Sequence, residues 1–295
     1  TGCTGGCCIQ CKVTYMDRKI IFLDIDGTLI AAMSEPSALA TAAVRGARKM
    51  GHKVFLCTGR NMAIIGDDIL KIGFDGVISS AGGHVEVGEE ILFDSLLPEE
   101  TVQECLDVFH DHGVYCRIET REGIYMDLQM EALLKSAKPD KRNSELIRMQ
   151  KEIEKGIGIL PYEEYPGKGA YKICFTSTTL EAIERTKPYL EGRFAYAVHM
   201  YGNSSSCFNG EIIPKGIDKC KGMELVCRYL GADRKDTIAF GDSMNDYGMM
   251  KYAHVSVAMG NACDDLKETA DIVCECVEED GVYYELKRMG VLNRR

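Results

Sequence analysis

The sequence lacks a membrane-spanning run, since no stretch approaches the roughly 18 consecutive apolar residues that such a helix needs. It also lacks an excess of basic residues: 35 Lys and Arg stand against 45 Asp and Glu, for a net charge of −10. A general nucleic-acid binder needs basic groups to neutralise phosphates, so this balance argues against that class of partner. The chain contains neither an internal repeat nor a low-complexity linker. Its 295 residues, 45% of them hydrophobic, are enough for two ordinary globular domains.

The 14 cysteines show no spacing typical of a disulfide framework. Most lie inside apolar runs, as in "VFLCTGR", where a free thiol packs as a small hydrophobe. This usage predicts a reducing, cytoplasmic location. Four cysteines fall within the first eleven residues but lack a second ligand pair at zinc-finger spacing. Because "MDRKIIFLDIDG" resembles a natural start at Met16, residues 1–18 are predicted to be a disordered leader that carries no chemistry.

Apolar strands alternate with amphipathic helices at both ends of the chain, which predicts an α/β domain with a parallel sheet covered on both faces. In the first part, "NMAIIGDDILKIG" is predicted to form one helix capped by Asn61. Between the two ends the rhythm changes to hairpins with few helices. We therefore expect a core domain built from residues 19–83 and 212–295, interrupted by an inserted α+β unit over residues 84–211.

Polar side chains follow three strands of the predicted parallel sheet. Asp24 and Asp26 follow "KIIFL", Thr58 follows "KVFLC", and Asp242 follows "TIAFG", with Asp246 four residues later. Open α/β sheets bind ligands at the carboxyl ends of their strands, so these groups are expected to converge. Four carboxylates repel one another unless a hard cation lies among them, and oxygen ligands suit Mg²⁺. A phosphoryl group bound there would meet a carboxylate nucleophile, a metal and hydrogen-bond donors.

These motifs, in this order, resemble those of a known family. "DIDGT", "TGR", a lysine within "GIDKCKGMELV", and "GDSMND" are similar to the four motifs of the haloacid dehalogenase (HAD) superfamily of phosphohydrolases. The continuation "GDSMNDYGMMKYAHVSVAMGNACDDLKETADIV" resembles the Cof-type subfamily. The resemblance covers residues 19–295 and is weakest across the middle. It implies a Rossmann-like HAD core interrupted by a cap domain.

The resemblance also implies catalytic roles. Asp24 matches the nucleophile that forms an aspartyl-phosphate, and Asp26 matches the general acid that protonates the leaving oxygen and later activates water. Lys219 matches the motif lysine, because Gly222 follows it and the Gly of "GDSMND" lies 22 positions later. Lys215 and Lys221 are its rivals.

The remaining motif positions imply phosphate and metal binding. Thr58, the Gly59 amide and Asn245 match groups that hold the phosphoryl oxygens. The positions that match the Mg²⁺ ligands, with Asp26 contributing its backbone carbonyl and Asp246 a water-mediated contact, are Asp24, Asp26, Asp242 and Asp246.

The position of the insertion favours one cap type. Asp24 and Thr58 lie only 34 positions apart, whereas Thr58 and Lys219 lie 161 apart, and the larger gap holds the α+β unit. In this superfamily such an insertion resembles a C2-type cap, which closes over the site and suits small substrates. The candidate cap contacts, for each of which a solvated surface position is the alternative, are Glu119, Arg121, Tyr125 and Lys168.

The sequence therefore predicts a cytoplasmic, Mg²⁺-dependent phosphatase of small phosphorylated metabolites. Sugar phosphates are the first substrate class, and phosphorylated cofactors are the second. Two alternatives stay open: a phosphomutase of the phosphomannomutase kind, and a non-enzymatic phosphate-binding regulatory protein. The expected partner is a small-molecule substrate, with no nucleic acid and no membrane, and the expected assembly is a monomer or homodimer.

Overall fold

The computed structural model describes residues 18–31, 34–137, 144–156, 158–200 and 207–293. Residues 1–17 lie outside these ranges, so the leader expected over residues 1–18 stays a prediction. The described residues form two β-sheets, one of eight strands and one of six. No helix in these ranges is both long and apolar enough to cross a membrane.

The eight-stranded sheet has the order β14-β13-β12-β1-β2-β3-β4-β5. The neighbours from β14 to β3 pair in parallel, and the β4–β5 hairpin extends the sheet in antiparallel fashion. This confirms the α/β class with a parallel sheet. The strands are β1 (Ile20–Leu23), β2 (Lys53–Cys57), β3 (Gly76–Ser79), β4 (His84–Val87), β5 (Glu90–Asp94), β12 (Thr237–Gly241), β13 (Val255–Ala258) and β14 (Ile272–Val273).

Helices cover both faces of this sheet because successive residues of its strands point to opposite sides. Ile21 and Leu23 pack in one core with α1 and α10, whereas Ile20 and Phe22 pack in another with α7, α8 and α9. Every side chain of β1 is therefore buried, which explains its unbroken apolar run. The helices are α1 (Ala38–Lys49), α2 (Asp67–Leu70), α7 (Lys219–Tyr229), α8 (Tyr247–Tyr252), α9 (Asp264–Thr269) and α10 (Gly281–Arg288).

The helix predicted over residues 61–73 is wrong as a single element. Asn61 caps only a 3₁₀ turn, Met62–Ile64, and α2 begins afresh after Gly66. The Asn61 side chain accepts a hydrogen bond from the Ile64 N–H and donates one to the carbonyl of Thr120, which directly follows the strand Tyr115–Glu119 of the second sheet. The break therefore places one turn of chain against the second sheet, a contact that hydrophobic periodicity does not report.

The six-stranded sheet has the order β10-β11-β9-β6-β7-β8 and is antiparallel except for the β7–β8 pair. Helices α3 and α6 pack on one face, and α4 and α5 on the other. We call this sheet with α3 to α6 the six-stranded unit. Its elements are α3 (Glu99–Asp111), β6 (Tyr115–Glu119), β7 (Ile124–Met126), α4 (Leu128–Ser136), α5 (Ser144–Lys155), β8 (Ile159–Pro161), β9 (Lys172–Ser177), α6 (Leu180–Leu190), β10 (Phe194–Met200) and β11 (Phe208–Pro214).

The expected limits of the insertion can be compared with the sheet to which each strand belongs. The hairpin of residues 84–94 pairs with the eight-stranded sheet, while β11 of the six-stranded sheet continues to Pro214. The domain limits at residues 84 and 211 stay predictions. Along the chain, the strands of the six-stranded sheet begin with β6 and end with β11.

Candidate active site

Three adjacent strands, in the order β12-β1-β2, end at one edge of the eight-stranded sheet. Asp24 lies just beyond β1, Thr58 just beyond β2, and Asp242 just beyond β12. Because the strands are parallel and neighbouring, their carboxyl ends bring these side chains together. All three are buried, with Asp24 4% exposed and Asp242 3% exposed. Buried carboxylates at a sheet edge are costly without partners, so their partners define the site.

The turn after β1 depends on glycine. Gly27 has a φ of +80°, in the left-handed region that glycine adopts at low cost. A Cβ atom at this position would lie 2.1 Å from Asp242 Oδ2, which is closer than atoms can approach. The glycine of "DIDGT" therefore allows the first motif to lie directly against the fourth.

Asp24, Asp242 and Asp246 form an acidic cluster. One carboxylate oxygen from each lies within 4.8 Å of those of the other two. Asp246 Oδ2 accepts hydrogen bonds from the backbone N–H groups of Asp242 (3.0 Å) and Ser243 (3.2 Å), which orients its carboxylate. Three buried carboxylates at this spacing match the oxygen donors that Mg²⁺ prefers.

Lys219 is the first residue of α7, whose N-cap is Asp218. The lysine is 2% exposed, and its Nζ lies 2.6 Å from Asp24 Oδ1 and 2.6 Å from Asp246 Oδ1. Its rivals lie elsewhere: Lys215 is exposed, and Lys221 is 47% exposed and pairs with a neighbouring glutamate. Of the three lysines, only Lys219 therefore lies at the acidic cluster.

Burial and charge oppose each other at Asp24. Burial raises the pKa of Asp24 to about 7, the nearby charge of Asp246 also raises it, and Lys219 acts in the opposite direction. Burial lowers the pKa of Lys219, but the charges of Asp24 and Asp246 outweigh it, and the net pKa shift is upward. The lysine therefore stays charged, and its ammonium favours the ionised carboxylate that a nucleophile needs.

Asp26 has a different partner, Arg60 of the "TGR" motif. The guanidinium forms a bidentate pair with the carboxylate, with Arg60 Nε 2.8 Å from Asp26 Oδ2 and Arg60 Nη2 2.6 Å from Asp26 Oδ1. Burial would raise the pKa of Asp26, but the Arg60 charge and hydrogen bonds, aided by Arg148, hold it below its usual value. We assigned no role to either arginine from the sequence. The motif position of Arg60 was a usable signal, whereas Arg148 lies in a charged helix without one.

Thr58, Gly59 and Asn245 line the same cavity as Asp24. Asn245 Oδ1 accepts a hydrogen bond from the Ser243 hydroxyl (2.9 Å), and its Nδ2 would lie 3.9 Å from a Cβ at Gly59. The amide nitrogen of Asn245 is therefore directed toward the Thr58–Gly59 loop, where two kinds of N–H donor meet. The small cavity between them, about 20 Å³, is lined by Asp24, Asp26, Thr58, Gly59, Arg60, Arg148, Ser243 and Asn245.

The candidate cap residues divide into two groups. Arg121 is 53% exposed and pairs with Asp94, and Lys168 is exposed. Glu119 and Tyr125 are buried, so the alternative of a solvated surface position is wrong for these two. Glu119 pairs with Arg117 of its own strand and lies 3.7 Å from Lys172 Nζ, and all three side chains are at most 1% exposed.

A second group of possible metal ligands, which we did not find in the sequence, lies in the six-stranded unit. His110, Cys116 and Asp127 offer ligand atoms within 4.8 Å of one another. Asp127 Oδ2 lies 2.8 Å from His110 Nε2 and accepts a 2.6 Å hydrogen bond from the Cys116 N–H. Burial raises the pKa of the Cys116 thiol well above its usual value, so the thiolate that binds metals is disfavoured. Through these contacts the Asp127 carboxylate links α3, β6 and the start of α4.

Comparisons with known proteins find similarity over most of the chain. The family model of haloacid dehalogenase-like hydrolases matches residues 21–286. The chain is 29% identical to the Bacillus subtilis protein YkrA over 285 residues, covering 94% of this chain and 100% of YkrA. It is 28% identical to the B. subtilis 5-amino-6-(5-phospho-D-ribitylamino)uracil phosphatase YwtE over 287 residues, or 92% of this chain and 98% of YwtE. The solved structure of a HAD subclass IIB sugar phosphatase matches with a TM-score of 0.71 at 26% identity, covering 92% and 99% of the two chains.

Proposed function

This chain belongs to the haloacid dehalogenase-like hydrolases and is a phosphoric monoester hydrolase of the Cof type, and we propose that it hydrolyses small phosphorylated metabolites with Mg²⁺ through an aspartyl-phosphate on Asp24. The observation that carries this proposal is the Asp24 carboxylate, which is buried, lines the cavity, and is held by the Lys219 ammonium at 2.6 Å. A binding module would gain nothing from a buried carboxylate directed at an anionic ligand.

The residues at the sheet edge fit the metal. Asp24, Asp242 and Asp246 would hold Mg²⁺, together with the backbone carbonyl of Asp26, and the close approach of Gly27 to Asp242 keeps the cluster compact. When bound, the ion supplies positive charge that offsets the negative charge of the phosphoryl oxygens. In the chain itself, the Lys219 ammonium, 2.6 Å from both Asp24 Oδ1 and Asp246 Oδ1, contributes a second positive charge at the same cluster.

We assign the chemical steps to two aspartates. An Asp24 carboxylate oxygen forms a bond to phosphorus while the ester P–O bond breaks, and the leaving oxygen takes a proton from Asp26. A water then attacks the aspartyl-phosphate, gives its proton to Asp26, and releases inorganic phosphate and free Asp24. The Arg60 pair stabilises the ionised form of Asp26, the form that accepts the proton from water, so the proton donation of the first step requires this pair to weaken when substrate is bound. Thr58, the Gly59 amide and Asn245 hold the phosphoryl oxygens in both steps.

Small sugar phosphates are the first substrate class and phosphorylated cofactors the second. A small cavity closed on one side by Arg148 of the six-stranded unit supports small substrates. The names of the relatives, a sugar phosphatase and a 5-amino-6-(5-phospho-D-ribitylamino)uracil phosphatase, are in line with both classes. The ten cysteines among the described residues are free thiols, which supports a reducing cytoplasm.

The test is Asp24→Asn, which keeps the side-chain volume but removes the attacking charge. We expect its hydrolysis of p-nitrophenyl phosphate and of a panel of sugar phosphates, flavin mononucleotide and pyridoxal phosphate to fall by about 10³-fold or more. The matched control is Asp67→Asn on α2, where the side chain is 86% exposed. Near-wild-type turnover by a folded Asp24→Asn protein, judged by its melting temperature, would show that Asp24 is not the nucleophile.

A further inference from the structure

Ser243 lines the catalytic cavity, although the chemical steps assigned above give its side chain no role. It follows Asp242 at the end of β12 and directly precedes the 3₁₀ turn Met244–Asp246. Its hydroxyl donates a 2.9 Å hydrogen bond to Asn245 Oδ1. The serine therefore contacts one of the residues that we assign to the phosphoryl oxygens.

The Asn245 side chain depends on hydrogen bonds for its orientation. The residue is exposed, so packing alone does not fix its rotamer. Its Oδ1 accepts a hydrogen bond from the Ser243 hydroxyl at 2.9 Å and a longer one from Lys219 Nζ at 3.5 Å. An ammonium has donors only, so Lys219 favours the amide oxygen over the amide nitrogen at this position. The shorter bond from Ser243 then fixes where the amide lies.

The other end of the amide faces the phosphate loop. Asn245 Nδ2 would lie 3.9 Å from a Cβ at Gly59, so this N–H₂ group is directed to the loop that follows β2. The phosphoryl oxygens carry negative charge and accept hydrogen bonds. An amide that rotated away, or that turned its oxygen toward them, would remove a donor from the site or place an acceptor against an acceptor.

The Ser243 hydroxyl is not itself available to a phosphoryl oxygen. It carries one hydrogen, which is donated to Asn245 Oδ1, so binding a phosphoryl oxygen would require that bond to break. The backbone N–H of Ser243 has a separate partner, Asp246 Oδ2 at 3.2 Å, and this bond does not involve the side chain. The side chain therefore acts on the site through Asn245.

From these contacts we infer that Ser243 is a positioning residue, whose hydroxyl holds the Asn245 amide so that Nδ2 donates to the phosphoryl group. The inference rests on the proposed phosphatase function, in which Asn245 holds a phosphoryl oxygen, and adds a residue that prepares this donor. A donor that is in place before the reaction needs no reorganisation as negative charge develops, which is why such donors contribute strongly to catalysis.

The experiment is a double-mutant cycle on kcat/KM, with p-nitrophenyl phosphate or the panel ester that the wild type hydrolyses fastest. Asn245→Ala removes the donor and should lose at least about 10²-fold. Ser243→Ala leaves the amide present but no longer held, and should lose about 10-fold. In the Asn245→Ala background, the further change Ser243→Ala should cost less than about 3-fold, because the hydroxyl then has no amide to hold.

Two controls separate positioning from folding. Ser243→Thr keeps the hydroxyl on an extended backbone (φ −131°, ψ 168°) that a β-branched residue adopts readily, and should stay within about 3-fold of the wild type. Ser136→Ala makes the same chemical change on α4, where an exposed hydroxyl donates to the Leu133 carbonyl at 2.8 Å, and should also stay within about 3-fold. Rates are measured below the melting temperature of each variant. If Ser243→Ala does not fold, Ser243→Cys takes its place, since a thiol of similar size is only a weak donor.

Several results would overturn the inference and leave the phosphatase function standing. These are a loss below about 3-fold in Ser243→Ala or in Asn245→Ala, an equal loss in Ser243→Thr, or a loss of about 3-fold or more when Ser243→Ala is added to Asn245→Ala. The last result would place the hydroxyl on the substrate or on Asp246 instead. If the wild type hydrolyses neither p-nitrophenyl phosphate nor any ester of the panel, the proposed function is wrong and the inference falls with it.

Discussion

Replacement of Lys219 by alanine tests how the site is held together. In the wild type, Lys219 Nζ lies 2.6 Å from both Asp24 Oδ1 and Asp246 Oδ1, and the three side chains are at most 6% exposed. Breaking a buried pair by removing one partner costs about 3–5 kcal/mol of folding free energy, because an uncompensated charge remains. Two carboxylates are left here. Since burial already raises the pKa of Asp24 to about 7, proton uptake by this carboxyl offsets part of that cost.

Lys219→Ala should also lower kcat, for two reasons. Loss of one preorganised charge at a developing negative centre costs about 10²–10³-fold in kcat, which corresponds to about 3–4 kcal/mol. A protonated Asp24 also cannot attack phosphorus, so both effects act in the same direction. We expect Lys219→Ala to lose at least about 10²-fold in kcat/KM at pH 7.

The assay is p-nitrophenyl phosphate hydrolysis at pH 7, with the melting temperature measured in parallel. Lys221→Ala is the control, because Lys221 is 47% exposed, lies two residues along α7 and pairs at 3.0 Å with Glu224. It should keep kcat/KM within about 2-fold, since exposed pairs contribute 0–1 kcal/mol. Turnover by a folded Lys219→Ala protein within about 3-fold of wild type, or an equal loss in Lys221→Ala, would refute this account of the lysine.

Two further predictions concern the turn after β1 and a buried histidine. Gly27→Ala should abolish p-nitrophenyl phosphate hydrolysis, because its methyl group would lie 2.1 Å from Asp242 Oδ2. The control is Gly51→Ala, at a position with a φ of +95° and no atom within 4 Å of the added Cβ. This variant should lose only about 1–2 kcal/mol of stability through backbone strain and should keep the wild-type rate of hydrolysis. Hydrogen bonds to Glu86 and Asp94 raise the pKa of His84, so its stabilising effect is complete below the unfolded-state pKa of about 6.5 and is lost as pH rises through the folded-state pKa. The difference in unfolding free energy between wild type and His84→Gln, from urea titrations at pH 5.5 and 8.5, should therefore be smaller at pH 8.5, and an equal difference at both values would contradict this.

The parts of the site that could be predicted from sequence are those with a local cause. Asp24, Thr58 and Asp242 each follow a short apolar strand, and parallel neighbouring strands must end at the same edge of a sheet. The alternation of strand and helix implied that sheet, and the repulsion among the carboxylates implied a cation. Lys219 required the resemblance to a family as well, because nothing in its helix separates it from Lys221 until the direction of each side chain is known.

The tertiary structure alone decided which charges close the site. Arg148 and Glu152 belong to a helix whose sequence, "SELIRMQKEIEK", is that of a charged surface helix, yet both are at most 2% exposed. They are buried because β6 presents Arg117 to the same face of the sheet and because Asp26, more than 100 residues away in sequence, lies opposite. Helical periodicity shows that two residues four apart share a face, but what covers that face depends on how the two sheets meet. Local sequence therefore determined which polar residues follow the three strands. Packing between distant segments placed the Arg148 guanidinium beside Asp26.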